Sequence, residues 1–569
     1  MASKNERRGD DAALARELDA WLAGDRSRRH VLAELLTAGG FAAAAALAGV
    51  PGAARAAARA GRFASAADLL LRHAAAELAA PDTPLGKAQH DAVRASTEGP
   101  QDGSAFRAVQ AAKKYKGQSI TMTYEAGLQA LEPTNFSGPL WQDLTGVASN
   151  VVGLSHPDQY SKPIAEHIAQ SGAYDILDIE PAWIPSLADG GVIAPIDDFV
   201  TKYMNKADLD DYHPLYKFLP TYKGKRWGFF DDGDMFALYY RRDVFEDPKL
   251  QAAYKQKFNQ DFRVPRSWDE YDQAAQFITD QLQPNVYGAA HFRKAGSPGN
   301  QFCFYQEYRA NGGRLFDAAT MRAQLASPAG IATLQQMVAA NKASIPGNND
   351  LDAVAQWAAW LQGKVAMIFS WPPTGRMSEN YAQRDKAINF IPSSAIAGKV
   401  GYAVIPGDAP EMASGYVKAL TTDSRNPESA YLFMQWSTSP PVSLVRVMLP
   451  YTLRDPYRLS HYTSPIYRSL WPAAKEYLVN LSNSANVSVV DPVIPGAQDY
   501  ALSIDRMCTA VWAGEDPKAA LARAAAEWDG VTDRIGVAAQ RAAYEQFLKL
   551  PGCYPDHTIA KLGMAVTLS

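Results

Sequence analysis

Asp231, Asp232 and Asp234, broken by Gly233, follow directly on the apolar run Gly228-Phe229-Phe230. Clustered carboxylates accept hydrogen bonds from hydroxyl groups or hold a cation, but this spacing lacks the full oxygen ladder of a calcium loop. Two further sets place related residue types after short β-like runs. Tyr124 ends the run Ser119–Tyr124 (SITMTY) and Glu125 follows it, and Asp178, Glu180 and Trp183 end or follow Asp175–Ile179 (DILDI). Carboxylates and amides suit the hydroxyl edges of a polyhydroxylated solute, and aromatic rings suit its C–H faces. No GxGxxG, P-loop, HExxH, GxSxG or cysteine cluster accompanies them, so no cofactor and no metal is expected. A carboxylate pair is also the apparatus of glycoside hydrolysis. Glu180 with Asp231 or Asp232 supplies one, and an exported carbohydrate-active hydrolase is the alternative reading.

The rest of the composition narrows the class. Hydrophobic residues make up 47% of the 569 and charged residues 20%, enough to fill sizeable cores. A net charge of −4 gives no basic surface for nucleic acid. Cys303, Cys508 and Cys553 lie far apart with no CxxC pair, which speaks against structural zinc and for buried thiols, with one disulfide left open. With 12 Trp, 27 Tyr and 21 Phe, most rings must be core, leaving a few for a cleft wall.

Residues 1–60 are expected to be an export signal. Ser27-Arg28-Arg29-His30-Val31-Leu32 leads into an Ala- and Gly-rich apolar stretch and then small residues near Pro51-Gly52-Ala53. Paired arginines in that setting resemble a twin-arginine signal. Residues 31–50 carry Glu34 and too little bulk for a permanent span, so a soluble periplasmic or extracellular protein is expected. Residues 61–117 read as an N-terminal helical extension, broken by Pro81, Pro84 and Gly99-Pro100.

From residue 118 short strands alternate with amphipathic helices. Ser119–Tyr124, Asp175–Ile179, Ala237–Tyr240 and Val365–Phe369 read as strands, and Ala419–Thr422 as the end of another. Helices are expected over Pro163–Gly172, over Trp268–Leu282 with Ser267 and Glu270 as a capping box, over Pro427–Ser437, and through most of 500–547. This alternation predicts an α/β architecture with mostly parallel sheets.

Several segments resemble family 1 of the solute-binding proteins, the large sugar-binding type of ATP-driven importers. They are Asp175–Val200 with Ala194-Pro195-Ile196-Asp197, Leu238–Glu246 (LYYRRDVFE), Pro265–Glu270 (PRSWDE), Asn311–Asp317 (NGGRLFD), Leu361–Met367 (LQGKVAM) and Asn426–Ala430 (NPESA), in the family's order. One departure stands out: Phe229-Phe230-Asp231-Asp232 occupies the place of a Gly-x-Pro segment. The resemblance implies a two-lobed periplasmic-binding-protein-like fold of type II, with about three hinge crossings near Tyr239–Arg242, Phe369–Pro373 and Thr421–Arg425. Lobe 1 would be 118–240 plus 372–422, and lobe 2 243–369 plus 424–569. Loops at strand C-termini face the cleft in such sheets. The implied binding set is therefore Tyr124, Glu125, Asp178, Glu180, Trp183, Asp231, Asp232 and Asp234, with Trp371 and Arg376 at the second hinge and Gly415 at the third. Tyr451 and Arg454 join them from Pro450–Arg454, which resembles a family segment reaching the cleft. The resemblance further implies a monomer, a carbohydrate-type solute, no catalysis, and membrane permease subunits of an ABC importer as partners.

Overall fold

The computed structural model describes residues 78–568 apart from 297–298, 382–387, 389 and 408–414. The expected export signal, and the extension up to residue 77, lie outside the described residues. In chain order the strands are β1 (Ser119–Glu125), β2 (Ala148–Leu154), β3 (Ile176–Ile179), β4 (Ile193–Ala194), β5 (Thr221–Tyr222), β6 (Lys225–Arg226), β7 (Gly228–Asp232), β8 (Ala237–Arg241), β9 (Tyr287–Ala289), β10 (Val365–Ser370), β11 (Val400–Ala403) and β12 (Tyr416–Thr421).

They form two sheets and a small hairpin. The first sheet runs β2-β1-β3-β12-β4, with β7 also on β12; the second runs β11-β8-β10-β9. β3 reads Ile-Leu-Asp-Ile with every side chain buried, as a central strand covered on both faces must be. The expected preponderance of parallel pairs gives way to mixed sheets. β1 pairs parallel with β2 and β3, and β10 with β9. β12 instead enters from the second sheet's side and runs antiparallel to β3, β4 and β7.

The sheets divide the chain differently from the expected lobes. β8 pairs with β10 from Ala237↔Ser370 onward, so Ala237–Tyr240 sits in the second sheet. β11 pairs with β8 and belongs there too, although 372–422 was expected on the other side. The chain therefore crosses between Asp232 and Ala237, and again between β11 and β12, rather than at Tyr239–Arg242, Phe369–Pro373 or Thr421–Arg425. It returns a third time after Arg458, since Leu459 N–H still bonds Asp211 O while Ala474–Val487 packs on β8 and β11. Backbone pairing fixes these points, and side-chain pattern alone does not reveal which strand a crossing segment will join.

The helices follow local chemistry. In Trp268–Leu282, Ser267 Oγ accepts from Glu270 N–H at 3.2 Å, while Glu270 reaches back to Arg266 N–H at 2.8 Å. The helix expected from Pro163 begins at His156, capped by Ser155 with Pro157 in its first turn, and Pro163 lies inside it. The described part of the extension is not a detached arm. Helices Pro84–Thr97 and Ser104–Ala112 bury Ala88, Ala92, Ala105, Ala108, Val109 and Ala112 and pack on Pro427–Thr438 and Pro440–Met448. Trp436 Nε1 donates to Ser96 Oγ at 3.0 Å within that contact. Among the described residues no helix is long and apolar enough to cross a membrane.

Candidate functional site

β7 delivers Asp231 and Asp232 to the junction of the two sheets, and both are completely buried. Asp231 meets three cations: Arg446 through both Nη atoms, Lys418 Nζ at 2.9 Å and Arg454 Nη1 at 3.4 Å. Arg446 also grips Glu132 Oε2, at 2.8 Å from Nε and 2.6 Å from Nη2. Arg454 Nη2 donates to Asp178 Oδ2 at 2.9 Å, and its guanidinium lies 4.9 Å from the Tyr124 ring centre. Burial alone would push the Asp231 carboxyl up, but Arg446, Lys418 and Arg454 together hold it well below the usual range. Burial dominates at Asp178, raised to about 7 despite Arg454. Burial and the neighbouring Arg446 lower Lys418 to about 8 in spite of Asp231. An ion network this deep survives only when its members are mutually satisfied.

A second acidic group adjoins it. Asp232 Oδ1 accepts from Asp455 N–H at 2.8 Å, and Oδ2 from Gln129 Nε2 at 3.1 Å. Asp232, Asp234 and Asp455 bring carboxylate oxygens within 4.8 Å of one another. Gly233 N–H bonds Asp455 O at 3.2 Å, and a Cβ at Gly233 would stand 2.2 Å from Pro456 O, so the two backbone segments touch. Gly415 packs on the same point. Its φ is +59°, and a Cβ there would lie 2.9 Å from Asp232 O.

Beyond these acids a narrow crevice lies between the lobes, and Glu180, Trp183, Gln301, Tyr305 and Gln498 along it are all buried. Glu180, Ala182 and Trp183 line it from the first lobe, and Gln301, Tyr305 and Gln498 face them from the second. Trp183 Nε1 donates to Gln498 Oε1 at 2.9 Å, joining the two walls. Glu180 Oε1 lies 2.6 Å from His156 Nε2. Burial would lower His156, but Glu180, with Glu125 and Asp491 behind it, raises it to about 9. Tyr416 OH donates to Glu125 Oε2 at 2.9 Å, and burial with Glu125, Glu180 and Asp178 nearby raises that phenol well above its ordinary value.

Tyr124, Asp178, Asp231, Asp232 and Arg454 are thus gathered into one buried network, with Asp234 beside it. Glu180 and Trp183 stand on the cleft, and Glu125 reaches Tyr416. Arg376 is fully buried and ties backbone, donating to Val447 O at 2.7 Å and Thr452 O at 2.8 Å. Trp371 stacks on Phe292 at 4.9 Å with Phe236 edge-on at 5.0 Å. Tyr451 is half-buried against the core. Sequence reasoning missed Glu132, Lys418, Arg446, Asp455, His156 and Gln498. Two carried a readable signal: Lys418 is the sole charge in Tyr-Val-Lys-Ala-Leu-Thr, and Arg446 the sole charge in Pro-Pro-Val-Ser-Leu-Val-Arg-Val-Met. A lone cation in an apolar run must find an anion. The three cysteines are free and buried.

The geometry has relatives. The model of the bacterial extracellular solute-binding protein family matches residues 101–443. A probable amino-acid ABC transporter periplasmic-binding protein of Sinorhizobium fredii is 23% identical over 341 residues, 58% of this chain and 71% of that protein. A solute-binding protein of Agrobacterium radiobacter in complex with ribitol superposes with a TM-score of 0.60 at 21% identity, over 73% of this chain and 99% of the other. Maltose-bound MalE3 of T. maritima gives 0.59 at 18% identity, over 73% and 100%. Two mixed sheets joined by crossings, with a lined cleft between them and a matching family model over most of the chain, make this protein a member of the bacterial extracellular solute-binding proteins.

Proposed function

We propose that this chain captures a polyhydroxylated solute, a sugar or polyol, outside the cytoplasm and delivers it as a monomer to the permease subunits of an ABC importer. One observation carries the reading. Side chains from both lobes converge on a single cleft, with Glu180 and Trp183 on one wall and Gln301, Tyr305 and Gln498 on the other. Carboxylate and amides match hydroxyl edges, and the rings match C–H faces. Closure shields these contacts from water, and each polar one strengthens in the lower dielectric. The ribitol and maltose complexes of the structural relatives support this ligand class. The paired arginines of the leader support export.

Hydrolysis by a carboxylate pair has less support. Asp231 is held ionised by three cations, Glu180 is taken up by His156, and both oxygens of Asp232 accept from Asp455 N–H and Gln129 Nε2, so none of the three is placed to deliver a proton to a leaving group.

A thermal-shift panel of ribitol, D-mannitol, maltose and the common amino acids tests the reading. A ligand at a hundredfold above its Kd stabilises by about 2.7 kcal/mol. A polyol or sugar should raise Tm. Stabilisation by amino acids alone, or release of shortened products from oligosaccharides, overturns the proposal.

A further inference from the structure

Among the described residues, the buried acids at the lobe junction outnumber the cations that face them. Glu132, Asp178 and Asp231 are taken up by Arg446, Arg454 and Lys418. Asp232, Asp234 and Asp455 remain, with oxygens within 4.8 Å of one another. The cations nearest them are Arg376, 3.4 Å from Asp455, and Arg454, 3.6 Å from Asp232. Asp455 is fully buried, and among the described residues its Oδ2 has no hydrogen-bond donor. Carboxylates this close and this dry do not all ionise together.

Their position gives the crowding a mechanical meaning. Asp232 ends β7, and Asp234 sits in the short link that carries the chain to β8. Asp455 lies on the segment that touches that link, and Arg376 reaches it from the helix Pro373–Ser378, which follows β10 of the second sheet. Opening the cleft must turn the backbone between Asp232 and Ala237, and so must move Asp234 against Asp455.

We propose that this junction is a proton-held latch: Asp234 and Asp455 share a proton taken from solvent when the lobes close, and losing it forces the junction apart. This rests on the closure reading above. Burial, then Asp232, push Asp234 and Asp455 well above the carboxylate range; Asp455 raises Asp234 further, while the hydrogen bond from Asp234 lowers Asp455 in part, and burial raises Asp232 to about 6. The other groups facing them do not relieve the crowding. Asp231 adds negative charge beside Asp232, Arg454 and Arg376 oppose it, and the phenols of Tyr216, Tyr239, Tyr416, Tyr462, Tyr467 and Tyr477 are all raised and neutral. In the open form the carboxyls rehydrate and return toward about 4. Closure therefore takes up a proton between about pH 4 and the raised values, and the closed population falls as pH rises, by up to about tenfold per pH unit for each proton.

Small-angle scattering of the full chain without added solute, from pH 5 to pH 8, tests the latch. The radius of gyration should grow with pH in the native chain and stay flat in Asp234→Asn, which keeps a neutral side chain there. Should that variant not fold, Asp455→Asn takes its place, and the native series stands by itself. A native profile flat across the range overturns the latch, as does a folded Asn variant that still expands like the native chain. Compaction of the native chain by millimolar calcium at pH 8 also overturns it, because the acids then hold a metal ion rather than a proton. A flat profile with solute binding intact sinks the latch and leaves capture standing; failure of the whole panel sinks capture itself.

Discussion

His156 shows how a single residue is tuned by what folds against it. Nothing in Ser155-His156-Pro157 marks it, yet its ring meets Glu180 at 2.6 Å across the chain, and its side chain is only 15% exposed. Burial penalises the charged ring, and Glu180 more than compensates, raising it to about 9 from 6.5. A raised histidine contributes stability that is whole below its unfolded value and lost as pH climbs through the folded one. The native chain should therefore lose up to about 3 kcal/mol between pH 6.5 and 9 relative to His156→Gln. Urea midpoints of the two proteins across that range check this, and parallel pH profiles count against the pair. The same burial logic governs Arg446, but there partners and charge sit together in a dry core. Lys418 and Arg446 were legible as lone cations in apolar runs; their shared partner Asp231 was legible only as one acid in a cluster.

Elements were easier to read than contacts. Ser119–Glu125, Ile176–Ile179, Val365–Ser370 and Pro427–Thr438 lie close to where the apolar patterning and the proline signals put them. Boundaries shifted where a signal was duplicated: Pro157 and Pro163 both look like first-turn prolines, and the true cap is Ser155. The Ala-rich helices before residue 118 have small side chains because they lie flat on Pro427–Thr438 and Pro440–Met448, with Ser96 and Ser104 bonding across to Trp436 and Gln435. Removing residues 1–117 strips that cover from Trp436 and the apolar face around it. The truncated chain should then precipitate or melt well below the full chain. A soluble truncation with unchanged Tm would show that the two helices are dispensable.

At the scale of the whole molecule, closure joins walls that are far apart in sequence. Trp183 and Gln498 are 315 residues apart and share one hydrogen bond across the cleft. Gln498→Ala removes the acceptor and leaves the indole N–H without it, a loss of about 1–3 kcal/mol. The panel solute that binds should then leave about five- to a hundredfold faster, with little change in its association rate, in a stopped-flow measurement. An unchanged off-rate would mean that the bond is not part of the closed state.

The sequence by itself determined the α/β alternation, the acidic and aromatic character of the segments that end at the cleft, and the family order of the motifs, because each is written in neighbouring residues. Tertiary structure alone decided where the chain crosses between sheets, which cations neutralise which acids, and which acids are left to crowd one another. Backbone pairing chooses the crossings, and Coulomb energy in a dry interior depends on distances of a few ångströms between residues separated by hundreds of positions.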